Sequence, residues 1–190
     1  EQDPGMILPV GLLRESRSGL KRADLIVITH SDEVGDSELA ALREELAVFS
    51  KPILCALHQP IALVPLAGEA EQPTTVLAGR PVVLASGIGN PAAFERAAQR
   101  LDWDVRASLR FPDHHHFAAS DWNDMVGLAE KHQATLVVTA KDAVKLAPLA
   151  GKHGSMCRVL RMRIAFAGDD AALFENHVRV ALNGAAGKLA

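Results

Sequence analysis

Short apolar stretches alternate with amphipathic ones along most of the chain. The apolar stretches are rich in Val, Ile and Leu, as is usual for strands buried on both faces of a parallel sheet. The stretches between them repeat apolar residues every three or four positions, which is typical of helices that pack on one side. The alternation predicts an α/β fold with a mainly parallel sheet and flanking helices. Strands are predicted at residues 24–29, 53–57, 81–85, 105–111, 135–139 and 158–166.

Capping residues mark where several of the helices begin. Asn90 and Pro91 are predicted to cap and open one helix, because asparagine accepts bonds from the free N–H groups and proline fits the first turn. Ser120 is predicted to cap the next helix. A short helix is predicted over residues 141–146, with Asp142 as its candidate cap.

The composition is that of an ordinary folded protein. With 48% apolar and 23% charged residues, the chain can bury a core. Its net charge of −3 argues against a nucleic-acid partner, which usually requires a basic stripe. Cys55 and Cys157 lie far apart in the sequence and are predicted to be buried, reduced thiols. No run approaches ~18 consecutive apolar residues, so we expect no membrane span and a soluble chain.

The densest group of polar side chains is Asp113-His114-His115-His116, which follows a predicted strand. In an extended chain neighbouring side chains point to opposite sides, so the three histidines cannot all face one metal ion, and no metal site is predicted. Two interpretations remain. The segment is either a solvated loop or a catalytic loop, since α/β proteins place working groups at the carboxyl ends of strands and histidine transfers protons near neutral pH.

Phosphate-binding features are sparse. Nothing in the chain matches GxxxxGK[ST]. The turn at residues 87–92 (GIGNPA) lacks the third glycine of a dinucleotide fingerprint, although N–H groups at the start of a helix could still hold an anion. Lys141 could reach an anion at a similar strand-to-helix turn. Arg14 suits phosphate contact by its planar fork, but the adjacent pair Arg14 and Glu15 is equally an exposed ion pair.

Four segments, taken in order, resemble a known family. They are LPVGLLRE (residues 8–15), GIGNPAAF (87–94), FPDHHHF (111–117) and TAKDAVKL (139–146). Together they are similar to the C-terminal half of the tetraacyldisaccharide 4′-kinases, which phosphorylate the lipid A disaccharide precursor with ATP. The resemblance implies the C-terminal part of a two-domain kinase-like fold with a phosphate-binding loop. It also implies ATP and Mg²⁺ as cofactors, and a parent protein at the cytoplasmic face of the inner membrane.

The resemblance also implies roles for particular residues. His114 and Asp113 match the catalytic pair of the family, and Arg14, Glu15 and Lys141 fall near its substrate or nucleotide. The phosphate-binding loop and the magnesium ligands of the family lie in an N-terminal half that these residues do not include. The chain starts without methionine, so we expect a truncation.

That expectation sets the predicted domains and the function. Residues 1–66 would be the remnant of the N-terminal kinase core plus a linker strand. Residues 67–150 would be a smaller α/β domain, and residues 151–190 a return strand and a C-terminal helix. Such a chain would be inactive alone and would need the missing N-terminal half as its partner. The alternative is a stand-alone, non-enzymatic α/β module that binds a nucleotide, a sugar phosphate or a partner protein.

Overall fold

A computed structural model describes residues 3–7, 11–68 and 70–186 of the chain. These residues form two compact units. The first comprises Glu1–His58 and Ile164–Ala190, and the second comprises Gln59–Arg163. The domain limits predicted from the sequence, after residues 66 and 150, stay a prediction.

The described residues contain eight strands and five α-helices. Strands β4 and β8 contribute residues to both units. In chain order the elements are β1 (Asp3–Ile7), β2 (Gly11–Leu13), β3 (Ile26–Ile28), α1 (Asp36–Ala47), β4 (Ile53–Pro65), β5 (Pro81–Ser86), α2 (Pro91–Arg100), β6 (Asp104–Arg110), α3 (Ala119–Lys131), β7 (Thr135–Thr139), α4 (Ala140–Ala150), β8 (Cys157–Phe166) and α5 (Asp170–Ala186).

The first unit contains a two-stranded sheet, β1 with β2, and the parallel pairing of β3 with the beginning of β4. In that pairing Ile26 lies opposite Ile53. The Asp170 carboxylate at the start of α5 accepts a hydrogen bond from the backbone N–H of Cys55 at 2.7 Å. This bond ties the first turn of α5 to the beginning of β4 within the unit.

In the second unit the strands lie in the order β4-β8-β7-β5-β6. Strands β8, β7, β5 and β6 run parallel to one another. Strand β4 runs opposite to β8, since the N–H of Leu66 bonds to the carbonyl of Cys157 and the next N–H, that of Ala67, bonds to the earlier carbonyl of Gly154. The prediction of an α/β fold with a mainly parallel sheet is confirmed.

Strands β5 and β7 are buried on both faces within the second unit. Because side chains alternate along a strand, each strand contributes to two clusters. Burying a Leu or Met side chain completely contributes roughly 1.5–3 kcal/mol to folding stability. The loops at the ends of these strands are therefore attached to a stable part of the core. One cluster packs them against α3 and α4 and includes Val83, Val138, Met125 and Leu146. The other packs them against α2 and includes Val82, Leu84, Val137, Phe94 and Ala98.

Three local predictions can be compared with the structure. The Asn90 cap is confirmed, because its Oδ1 accepts the Ala93 N–H at 3.1 Å. The strand predicted at residues 53–57 continues to Pro65, because pairing with β8 extends it beyond the polar interruption in the sequence. The prediction of Ser120 as a cap is wrong. Helix α3 begins at Ala119, and the Asp121 carboxylate accepts the N–H of residue 118 at 2.8 Å.

Candidate functional site

The candidate site lies where three neighbouring parallel strands of the second unit end. Strand β5 lies between β7 and β6, so the carboxyl ends of all three meet at one edge of the sheet. The turn at residues 87–90 follows β5, the loop at residues 111–117 follows β6, and α4 begins directly after β7. Ligands of α/β proteins usually bind at this edge.

The Asp113 carboxylate is held by Lys141 at this edge. The ammonium Nζ of Lys141 donates to Oδ1 of Asp113 at 2.9 Å, and both side chains are nearly half exposed. The hydrogen bond from Lys141 holds the pKa of Asp113 below its usual range, with smaller contributions from His114. Asp113 is therefore a carboxylate at neutral pH, and it is oriented by a residue 28 positions later in the chain.

His114 presents its imidazole to solvent beside this pair. Its side chain is 78% exposed, and its Nε2 lies 3.6 Å from Oδ2 of Asp113. Its backbone N–H donates to Oδ1 of the same carboxylate at 3.0 Å. The φ angle of His114 is +61°, in the left-handed region that costs a non-glycine residue about 1–2 kcal/mol. Such backbone strain is often found at functional sites.

His115 takes a structural position instead. Its side chain is 27% exposed, and its Nε2 lies 2.9 Å from Oδ2 of Asp121. Its ring stacks on Phe111, with the centroids 5.0 Å apart, and its carbonyl accepts a bond from Lys145 at 3.1 Å. His116 is exposed. The three adjacent histidines therefore have different surroundings, and His114 is the one whose ring and backbone N–H both lie beside the Asp113 carboxylate in the described residues.

Asp142 is the site residue whose role the sequence did not predict. It is 0% exposed, and its Oδ2 accepts from the Gly87 N–H at 3.0 Å and from the Thr139 hydroxyl at 2.7 Å. The prediction of Asp142 as the helix cap is wrong, because Thr139 is the cap and its Oγ1 accepts the Asp142 N–H. The spacing T-x-x-D at residues 139–142 is a capping signal that could have indicated Thr139.

The glycine turn packs closely against the other two loops. A Cβ atom at Gly87 would lie 3.2 Å from the Phe117 ring and 3.3 Å from Oδ1 of Asp142. A Cβ atom at Gly89 would lie 3.4 Å from Oδ2 of Asp113. The absence of side chains on these two glycines therefore lets the turn approach the carboxylates that flank it.

Arg14 and Glu15 belong to the first unit. Arg14 is exposed. The Glu15 carboxylate accepts a hydrogen bond from Nη2 of Arg22 at 2.7 Å, and both side chains are largely exposed. The exposed ion pair expected between Arg14 and Glu15 is therefore corrected to one between Glu15 and Arg22. Of the residues predicted for the site, the structure brings Asp113, His114 and Lys141 together.

Residues 3–7, 11–68 and 70–186 contain neither a cluster of metal-ligating side chains nor a membrane-spanning helix. No group of three or more His, Cys, Asp or Glu side chains in these ranges is placed to hold a metal ion. No helix in the same ranges is both long and apolar enough to cross a membrane. Nothing in the 190 residues matches the GxxxxGK[ST] loop, and Lys141 is already paired with Asp113.

Known proteins resemble this chain over most of its length. The solved structure of LpxK from Aquifex aeolicus, described as a complex with ATP, has a TM-score of 0.56 and is 22% identical in sequence. The match covers 87% of this chain and 45% of that one. At this level of identity the likeness shows the fold alone.

Proteins related in sequence identify the family of this chain. The tetraacyldisaccharide 4′-kinase of Syntrophus aciditrophicus is 34% identical over 76% of this chain, and that of Anaeromyxobacter dehalogenans is 36% identical over 83%. This chain spans 41% and 43% of the lengths of those two relatives. The family model described as tetraacyldisaccharide-1-P 4′-kinase matches residues 2–182. The chain therefore belongs to the tetraacyldisaccharide-1-P 4′-kinase family.

Proposed function

We propose that this chain is the C-terminal part of an ATP-dependent kinase that phosphorylates the 4′-hydroxyl of the lipid A disaccharide precursor. The observation that carries the proposal is the cluster of Asp113, His114 and Lys141 at the carboxyl ends of three strands, in a chain of this family. The named relatives support the reaction, since they are tetraacyldisaccharide 4′-kinases.

In this proposal His114 acts on the acceptor hydroxyl. Its exposed imidazole can reach a substrate group and take up the proton that the hydroxyl loses, as a positioned acid–base group does. Asp113 lies 3.6 Å from the imidazole Nε2 and can orient the ring toward the acceptor hydroxyl. Lys141 keeps Asp113 ionised and in place, which is supported by the lowered pKa of that carboxyl.

The triphosphate of ATP would be bound elsewhere. Phosphoryl transfer depends on positioning and on neutralising the charge of the transferred group, usually with a glycine-rich loop, a lysine and Mg²⁺. We propose that these ligands come from an N-terminal half that the 190 residues do not include, and that the chain alone is inactive. Arg14 and Glu15 would lie near the substrate or the nucleotide in the complete protein, which would work at the cytoplasmic face of the inner membrane.

A chimera tests this proposal. The chain replaces the segment that it matches in the Anaeromyxobacter dehalogenans relative, and transfer of labelled phosphate from ATP to tetraacyldisaccharide 1-phosphate is measured. The expected result is product from the chimera and no product above a buffer control from the 190-residue chain. The intact relative serves as the positive control. A folded chimera without activity, beside an active relative, would refute the kinase proposal.

The second candidate is a non-enzymatic module that binds a nucleotide or a sugar phosphate. It is favoured by one observation, the lack of a GxxxxGK[ST] loop in the 190 residues. It predicts that ATP or a sugar phosphate shifts backbone NMR signals at residues 87–90 of the chain alone, while the chimera stays inactive. An active chimera would exclude it.

A further inference from the structure

We infer that Asp142 is a positioning residue, which links the glycine turn to the start of α4 and thereby fixes the carboxylate of Asp113. Its effect on turnover rests on the proposed kinase function, whereas its effect on the geometry does not.

The first step of the argument is the environment of Asp142. The side chain is completely buried, although ionisable side chains are almost never buried unless they are paired. Its Oδ2 takes both observed bonds, from the Gly87 N–H and from the Thr139 hydroxyl. Its Oδ1 is buried and has no hydrogen-bond partner among the described residues. A buried polar atom without a partner is costly, so the position is poorly suited to a residue that serves packing alone.

The second step is the connection that these bonds make. Gly87 and Asp142 are 55 positions apart and belong to the ends of neighbouring strands, β5 and β7. The Thr139 hydroxyl donates to Asp142 and also accepts its backbone N–H, so the first turn of α4 is fixed by the same group. A single carboxylate oxygen thus holds the turn and the helix start together.

The third step leads from Asp142 to Asp113. The turn held by Asp142 brings Gly89 against Oδ2 of Asp113, where a Cβ atom would lie at 3.4 Å. The helix turn held by Asp142 carries Lys141, whose ammonium bonds to Oδ1 of Asp113 at 2.9 Å. The helix turn thus bonds to Oδ1 of Asp113, the glycine turn lies beside Oδ2, and Asp142 joins these two segments. Displacing either segment would move the carboxylate beside His114.

The test uses Asp142→Asn and Asp142→Ala, with Asp124→Asn, an exposed acidic residue of α3, as the matched control. In the 190-residue chain, NMR measures exchange of the Gly87 amide and the pKa of Asp113. We expect Gly87 exchange to rise about tenfold or more in Asp142→Asn, because the new amide group would bury N–H donors where Oδ1 now has no hydrogen-bond partner. We also expect the pKa of Asp113 to rise, and the control to change neither.

Turnover is measured in the chimera. Asp142→Ala should lower kcat about 10²-fold, with KM for the lipid within about twofold, as expected when a catalytic group is displaced rather than removed. If Asp142→Ala does not fold, Asp142→Asn decides, with a loss in kcat of about tenfold. Unchanged kcat, or an unchanged pKa of Asp113, would overturn the inference. If the unsubstituted chimera is inactive, the kinase proposal fails, and the exchange and pKa measurements still decide the role of Asp142.

Discussion

Replacing Gly87 by alanine is expected to destabilise the second unit, although glycine-to-alanine substitutions often stabilise proteins. The new Cβ would lie 3.2 Å from the Phe117 ring, 3.3 Å from Oδ1 of Asp142 and 3.4 Å from the carbonyl oxygen of Pro112. Carbon atoms prefer separations of about 3.5–4.0 Å, so the contact with the Phe117 ring is too close, and the two contacts with oxygen atoms are tight. The neighbours cannot easily retreat, because Asp142 holds the Gly87 N–H and the Pro112 carbonyl accepts the His115 N–H.

The magnitude follows from two opposing effects. Overpacking a close site typically costs about 1–3 kcal/mol, whereas restricting the unfolded chain by alanine gains about 0.4–1 kcal/mol. The net expectation for Gly87→Ala is a loss of about 1–2 kcal/mol. Gly127 provides the matched control, since no described atom lies within 4 Å of its Cβ position in α3. Gly127→Ala should stabilise the protein by about 0.5–1 kcal/mol.

Urea unfolding followed by tryptophan fluorescence measures this difference in the relevant part of the chain. The sequence has two tryptophans, Trp103 and Trp122, and both lie in the second unit. The midpoint should fall for Gly87→Ala and rise for Gly127→Ala, with unchanged slopes. A Gly87→Ala midpoint equal to or above that of the unsubstituted protein would refute the proposed close packing of the turn.

Three further predictions concern single side chains. In the chimera, His114→Ala should lower turnover about 10²-fold and His115→Ala less, whereas losses within about threefold for all three histidines would indicate a solvated loop. Lys141→Met should raise the pKa of Asp113 in an NMR titration, with Lys131→Met as the control. Since the pKa of Asp113 is lower in the folded state than in the unfolded state, the ion pair contributes its full stabilisation above the unfolded-state pKa. That stabilisation is lost as the pH falls through the folded-state pKa. Burial raises the pKa of Cys157 to about 12, so in a Cys55→Ser background this thiol should react with a thiol reagent at pH 8 only after unfolding.

The sequence predicted the parallel strands of the second unit, for a physical reason. Residues 81–85 and 135–139 are buried on both faces, so their apolar runs signal parallel strands without reference to the rest of the chain. Polar residues after such strands then fall at the carboxyl edge of the sheet. Asp113 and Lys141 could be assigned to that edge from sequence, and they meet there.

The contacts between loops could not be predicted in the same way. Asp142 can bond to Gly87 because β5 lies next to β7. The order of strands in a sheet cannot be predicted from local periodicity. A similar limit applies to Glu15, whose partner is Arg22 rather than its neighbour in sequence. In each case the side chain had more than one polar group within reach, and local periodicity does not determine which of them it bonds.

The histidine loop shows that adjacent residues of one type can have different environments. The alternation of side chains that holds for a strand would place His114 and His116 on the same side. The loop is a turn instead, since the His115 N–H bonds to the Pro112 carbonyl at 3.1 Å and His114 has a positive φ angle. The three histidines must therefore be distinguished by their observed contacts and not by alternation. The imidazole of His115 is engaged by Asp121, whereas that of His114 adjoins Asp113 and is open to solvent, so the bond that holds the loop to α3 leaves the His114 ring accessible.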